Sequence, residues 1–180
     1  MKTGATSALL AAVLLASGCA NPLQSPPDHW PAVQASGGCP ALAGAYDNVG
    51  ATSGRFGAAL TWFVMPSGDA ATRKLLEGAY RVEIAGEPGA ALDVSAWRRN
   101  AFIARRVLSP GADYHCEDGA LVLALPADGT GRLRGAALSI AADRSIIART
   151  SSVEMGLKYY VLPYAIPTRV WARFEPQPAR

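Results

Sequence analysis

From residue 80 onward, apolar and polar positions alternate with a period of two, the pattern of half-buried strands. In Tyr80-Arg81-Val82-Glu83-Ile84 the apolar residues alternate with charges, and Leu92, Val94 and Ala96 alternate with Asp93, Ser95 and Trp97. Residues 102–108 predict a further strand, with Arg98-Arg99-Asn100 as the tight connection before it. Tyr114 and Cys116 lead into Asp118-Gly119, where both residues tolerate positive φ and favour a two-residue hairpin turn. Leu121, Leu123 and Leu125 then line one face of the next strand. A second hairpin joins 137–140 to 146–150 through Asp143-Arg144-Ser145, and 168–174 makes the final strand. Other stretches depart from alternation. Residues 54–65 are apolar without a clean period, and 69–78 predict one short helix, with Asp69 as N-cap and Gly78 beyond its end. Residues 155–167, interrupted by Pro163 and Pro167, read as a loop or irregular strand.

The pattern predicts a mainly β fold, an antiparallel meander of about eight strands with at most one or two short helices. Such a run must close its edges or expose them, and an up-and-down barrel is the simplest closure. No second apolar cluster or break in composition divides residues 39–175, so they predict a single domain, with 176–180 as a tail.

The N-terminus has a different character. Lys2 precedes an apolar run from Ala8 to Ala16, and the small residues Ser17 and Gly18 lead into Cys19. This is the order of a cleavable secretory signal over residues 1–18, too short to cross a bilayer, which takes about 20 apolar residues. Leu15-Ala16-Ser17-Gly18-Cys19 resembles the lipobox of bacterial lipoproteins, with Ala16 where that family prefers Leu. The resemblance implies cleavage before Cys19 and attachment of two or three acyl chains to it, an anchor that single acylation would not provide. The alternative is an ordinary signal peptide cut elsewhere. Ala20 stands where a common bacterial sorting rule places Asp for retention in the inner membrane, so the expected address is the periplasmic face of the outer membrane, with the inner membrane as the alternative. Residues 19–38, rich in proline and ending Gly37-Gly38, read as an extended tether, reaching roughly 50 Å at about 3.1 Å per residue. Within it, Trp30 reads as a tethered aromatic, with contact to the domain or to the headgroups as the alternative.

The chain holds three cysteines, Cys19, Cys39 and Cys116. With the first acylated, an even pair is left in an oxidising compartment, which predicts a Cys39–Cys116 disulfide. Two free buried thiols or a metal pair are the alternatives, and two cysteines with no nearby His or Asp make a poor metal site.

Leu42-Ala43-Gly44-Ala45-Tyr46 resembles the Gly-x-Trp opening of lipocalins and other calycins, with Tyr in place of Trp, and Trp171-Ala172-Arg173 resembles their closing Arg. The resemblance implies a barrel closed by Gly44, Tyr46, Trp171 and Arg173, with the Arg173 guanidinium stacked on Tyr46, and an interior able to take a small apolar ligand. Cys39-Pro40-x-Leu42-x-Gly44-x-Tyr46, the Cys-x-Asp-Gly-x-Leu hairpin and the Trp-x-Arg-Phe ending are also similar to a group of uncharacterised proteobacterial outer-membrane lipoproteins, which implies no activity.

Catalytic signatures are missing from the sequence. The two histidines, His29 and His115, fall in the tether and beside the cysteine pair. No Gly-x-Ser-x-Gly elbow, His-Glu-x-x-His helix or phosphate-binding loop occurs. Gly129-Thr130-Gly131 with Gly135 follows no βα unit and reads as a hairpin loop. No enzyme, metal site or cofactor is expected. The formal net charge is +3, and Arg98-Arg99, Arg105-Arg106 and Arg132/Arg134 fall near strand ends. They read as protection of strand edges, or as contacts to anionic headgroups or cell-wall polymers; the envelope address excludes nucleic acid. Two roles follow: an accessory lipoprotein that contacts an envelope protein or the cell wall through its surface, or a calycin-like module holding a small apolar ligand.

Overall fold

The computed structural model describes residues 25–53, 57–124, 133–158 and 162–178. Cys19, the expected lipidation site, and the expected signal 1–18 lie outside them, as do Leu125, Gly129-Thr130-Gly131 and Arg132. The fold is mainly β and antiparallel, with eleven strands rather than about eight among the described residues. One sheet has the order β1 (Gly44–Asp47), β4 (Arg81–Ala85), β5 (Leu92–Arg98), β6 (Ala101–Leu108). The other has the order β3 (Ala58–Ala59), β2 (Val49–Thr52), β11 (Leu162–Phe174), β10 (Ile146–Lys158), β9 (Leu133–Ile140), β8 (Ala120–Ala124), β7 (Tyr114–Glu117).

The two sheets wrap one core. Val82, Ile84, Val94 and Ala96 from the first meet Leu121, Leu138, Ile146, Ala148 and Phe174 from the second. Each set is the inward half of an alternating strand, as period two requires. The predicted turns take the backbone their residues allow: Asp118 and Gly119 at φ 49° and 73°, Arg99 at 54° and Arg144 at 68°. The predicted helix is α2 (Ala70–Glu77), capped by the Asp69 carboxylate, which accepts a bond from the Thr72 N–H, and followed by Gly78.

The sheets are also joined along one corner. Asp47 N–H donates to the Glu175 carbonyl (2.9 Å) and Gln177 N–H to the Ala45 carbonyl (2.7 Å), so the chain beyond β11 pairs with β1. Followed around, the strands run β6, β5, β4, β1, the extension of β11, β10, β9, β8, β7. The circuit stops there: no ladder joins β6 to β7, and no closed ring of strands forms among the described residues.

Three expectations differ. Residues 155–158 and 162–167 are regular strand rather than a loop or irregular strand: β10 and β11 pair from Ile146↔Phe174 out to Lys158↔Leu162. Among the described residues β2 pairs with β11 only at Ala172 and Arg173, so no described strand asks Pro163 or Pro167 for a further N–H. Residues 58–65 give the short β3 and a one-turn helix, α1 (Thr61–Val64). Part of the expected tether is docked. Gln34 N–H donates to the Ile140 carbonyl (2.8 Å), Ala142 N–H to the Ala32 carbonyl (3.0 Å), and Trp30 is buried against Ala141, Ile147 and Trp171.

Asn48, between β1 and β2, ties both helices to the sheet corner. Its side-chain amide donates to the carbonyls of Leu76 (3.2 Å) and Ala79 (3.1 Å), at the end of α2, and its side-chain oxygen accepts the Thr61 N–H (2.9 Å) at the start of α1. One buried amide thus serves orphan groups at two helix ends.

Candidate functional site

The seven-stranded sheet is buried on both faces. Inward residues build the main core, while Ala120, Ala137, Ile147 and Trp171 on the opposite face are buried as well. The cover is the strap formed by residues 30–38. Trp30 seals one end of it, and at the other Ser36 crosses the 118–119 turn, where a Cβ on Gly119 would lie 2.8 Å from the Ser36 carbonyl oxygen. The disulfide then pins the strap: Cys39 and Cys116 are bonded, with Cα atoms 5.1 Å apart. Between strap and sheet remains a groove of about 360 Å³. Its floor is Ala120, Val122, Ala137 and Ile147, Val33 and Trp171 stand at its sides, and Glu117, Asp118 and Arg149 supply its charges. The Arg149 guanidinium lies 6.0 Å from the centre of the Trp171 ring, within cation–π range.

A larger cleft of about 650 Å³ lies at the gap between β6 and β8, beside α2. Met65, Leu76 and Ala104 give it an apolar lining, and Ser67, Thr72, Arg105 and Arg106 a polar one. The arginines are held by carboxylates. Arg105 Nε donates to both Asp93 oxygens (2.8 and 2.9 Å), and Arg106 Nη2 to Asp113 Oδ1 (2.7 Å). The bond from Arg105 lowers the Asp93 carboxyl below its ordinary range; Asp113 is lowered by the Ser109 N–H and then by Arg106. Both arginines belong to β6, which among the described residues is an edge strand of its sheet, where charges protect an edge.

The four residues expected to close a barrel are split between two environments. Tyr46 faces the main core, and its hydroxyl donates to the Leu42 carbonyl (3.0 Å). A Cβ on Gly44 would come within 3.1 Å of that hydroxyl oxygen, so the ring is seated against a glycine. Trp171 and Arg173 lie on the opposite face of β11 from Ala172 and Phe174, which enter the core. Alternation therefore turns Arg173 away from Tyr46, and the expected stacking is replaced by other contacts. Arg173 pairs with Asp143 and Glu175 and donates to the Ser145 hydroxyl (3.2 Å), bracing the 143–145 turn.

No family model, no curated protein and no solved structure matches this chain. The site must be read from its own chemistry.

Among the described residues, no group of three or more His, Cys, Asp and Glu side chains is placed to hold a metal. His115 is exposed, with Nε2 3.7 Å from Glu117, and His29 lies edge-on to Trp30. Two buried donors without an acceptor among the described residues, Arg81 Nε and Trp97 Nε1, belong to directly paired residues of β4 and β5. Sequence reasoning missed the strap, although a signal for it existed. Ile146-Ile147-Ala148 and Ala136-Ala137-Leu138 are continuous apolar runs, which imply strands covered on both faces.

Burial raises the ionisation of Tyr46 above its ordinary value of 10.0, with Arg144 opposing. A raised folded value means a stabilising contribution that is complete below the unfolded pKa and is lost as pH rises through the folded one. Tyr46→Phe removes the hydroxyl and is expected to cost about 1 kcal/mol at neutral pH for the bond to Leu42. That deficit should shrink between about pH 9 and 11, because only the tyrosine form loses stability there. Melting temperatures of both forms across that range test it, and a constant gap would disprove the burial argument.

Proposed function

We propose that this chain is a lipid-anchored envelope lipoprotein, held at the periplasmic face of the outer membrane through Cys19 and acting through its surface rather than by catalysis. The observation that carries the reading is the run Leu15-Ala16-Ser17-Gly18-Cys19 directly after an apolar h-region. An oxidising compartment fits the bonded Cys39–Cys116 pair, since such bonds persist outside the reducing cytosol. The strap adds a mechanical argument. Pull on Cys19 is transmitted to Trp30, which is seated on the broad sheet, and to the disulfide behind it, so an anchor at the N-terminus loads the body at two fixed points. The partner of that surface is an envelope protein or a cell-wall polymer.

A calycin-like ligand carrier is the second reading. It draws support from the pairing of residues 175–177 with β1, as the first and last strands of such barrels pair, and from the cleft beside α2. The interior against it is filled, with Phe174, Leu138, Ile146, Val82 and Val94 fully buried.

The test is the mass of the N-terminal peptide from protein purified out of bacterial membranes. A peptide beginning at Cys19 and carrying diacylglyceryl plus acyl mass is expected, and Cys19→Ser should lack it. An unmodified peptide beginning at another residue would remove the anchor from the proposal.

A further inference from the structure

Among the described residues eight large apolar side chains are exposed, and four of them stand at one corner of the fold. Asn48 brings those four together. Its backbone N–H donates to the Tyr80 carbonyl (3.1 Å), and its side chain bonds Thr61 in α1 and Leu76 and Ala79 at the end of α2. The Thr61 hydroxyl also donates to the Leu76 carbonyl (3.4 Å), tying one helix to the other. Val49, Trp62, Leu75 and Tyr80 are each one of these bonded residues or the next residue in the chain. Their backbones therefore lie within roughly 10 Å of Asn48. Asn48, Thr61, Leu76 and Ala79 are turned inward and buried. Their neighbours are turned outward: Val49 is 69% exposed, Tyr80 66%, Leu75 46% and Trp62 42%. Two aromatic rings, a leucine and a valine gathered on one corner mark an interaction surface, which single scattered apolar residues would not.

The charges around the corner say what kind of surface it meets. Arg73 and Lys74 precede Leu75 and are exposed on α2. Arg98 lies across the end of the same helix: its Nε donates to the Gly78 carbonyl (3.0 Å), and a Cβ on Gly78 would lie 1.9 Å from its Nη2. Beside these three cations α2 and its cap bring two carboxylates, Glu77 and Asp69, and Asp69 is engaged by the Thr72 N–H. An indole and a phenol rimmed by Arg and Lys are the side chains that settle at the headgroup level of a membrane, rings in the interface and cations on phosphates.

We infer that the Asn48 corner docks on the headgroups of an anionic bilayer, with Trp62 and Tyr80 in the interface and Arg73, Lys74 and Arg98 against lipid phosphates. Charge argues against a second copy of this chain as the cover. A two-fold interface sets one patch against itself and would oppose the three cations with their own copies. The course of the chain agrees with a membrane on this side. Ala51 pairs with Arg173, so Val49, two residues before it, shares the sheet face that carries Arg173 and Trp171. Trp30 is seated on that same face against Ile147, which pairs with Arg173. Val49 is two strands over from Ile147 and two residues along, roughly 12 Å away at about 4.8 Å per strand and 3.4 Å per residue. The eleven residues from Cys19 to Trp30 span at most about 40 Å. Lipid anchor and corner can thus meet one bilayer; the inference rests on the lipoprotein reading for which membrane is at hand, not for binding itself.

The experiment uses the chain from residue 19 carrying Cys19→Ser, so that no lipid contributes, floated with vesicles of phosphatidylethanolamine and phosphatidylglycerol. The chain is expected to float with them. Trp62→Asp with Tyr80→Asp should lower the bound fraction by on the order of tenfold, with the melting temperature little changed because both side chains are exposed. Arg73→Glu with Lys74→Glu should weaken binding to these vesicles by a similar factor and leave association with pure phosphatidylcholine unaltered. Val107→Asp, exposed on β6, should change nothing. A conservative variant reads the contact directly. Brominated lipid in the anionic vesicles should quench the tryptophan emission of the Cys19→Ser chain, and Trp62→Phe should remove most of that quenching while still floating; this result decides if the double Asp variant melts early. Failure of the Cys19→Ser chain to float, equal flotation of the double Asp variant, or quenching unchanged by Trp62→Phe would overturn the inference. So would a dimer in sedimentation that the double Asp variant abolishes, since the corner would then be an interface between copies. The anchor itself is read separately from peptide mass, so either idea can fail without the other.

Discussion

Replacing Cys39 and Cys116 together by serine is expected to cost the oxidised domain about 4–5 kcal/mol of unfolding free energy. The bond joins residues separated by 77 positions, and closing so long a loop removes much of the freedom of the unfolded chain. Native-state contacts add to this. Cys39 stands at the end of the strap and just before β1, while Cys116 lies in β7, the outermost strand of the other sheet. The bond thus ties β7 to the strap and to the approach to β1, and it holds Ser36 over the 118–119 turn. Urea unfolding followed by circular dichroism, comparing wild type with the double variant, measures the difference. A loss below about 1 kcal/mol would mean that the unfolded chain is already compact enough to make the crosslink redundant.

Asn48→Ala is expected to destabilise by about 3 kcal/mol, although the side chain is small and lines neither groove. Three bonds vanish at once, leaving the Thr61 N–H and the Ala79 carbonyl buried without their partner. The Leu76 carbonyl keeps the N–H groups of Gly78 and Ala79 and suffers less. Asn48→Asp preserves shape but turns a donor into an acceptor facing two carbonyls, so its cost at neutral pH should be at least as large. Because Asn48 positions the end of α2, the cleft lined by Thr72 and Leu76 should widen with it, seen as faster amide exchange in α2. Equal stability of Asn48→Ala and wild type would show that water replaces the amide at no cost.

Much of the local structure was legible in the residues. Asp69 and Gly78 bracket α2, Asp118-Gly119 makes its hairpin, and the alternation of Leu92 to Ala96 picks the inward face of β5. These features depend on neighbours a few residues away, so chain order alone specifies them. The disulfide was legible for a different reason: with Cys19 read as acylated, only one pairing remained. The outer part of the β10–β11 hairpin was missed because Pro163 and Pro167 look like strand breakers, whereas among the described residues β2 pairs with β11 only at Ala172 and Arg173. Trp30 looked unattached because nothing in its own vicinity announces the far strands that bury it. Asn48 drew no reading at all, since its partners lie in two helices further along the chain.

What the sequence by itself determined is the inward or outward sense of each strand, the tight turns, the helix cap and the cysteine pair. Only the tertiary structure decided which strands become neighbours, that the circuit stops between β6 and β7, and that Arg173 braces a turn rather than covering Tyr46. The physical reason is that alternation encodes a face, whereas pairing depends on how two sheets share one core. Strands of equal pattern compete for the same neighbour, and the choice falls to volume, twist and the long-range bonds at the corner where residues 175–177 meet β1.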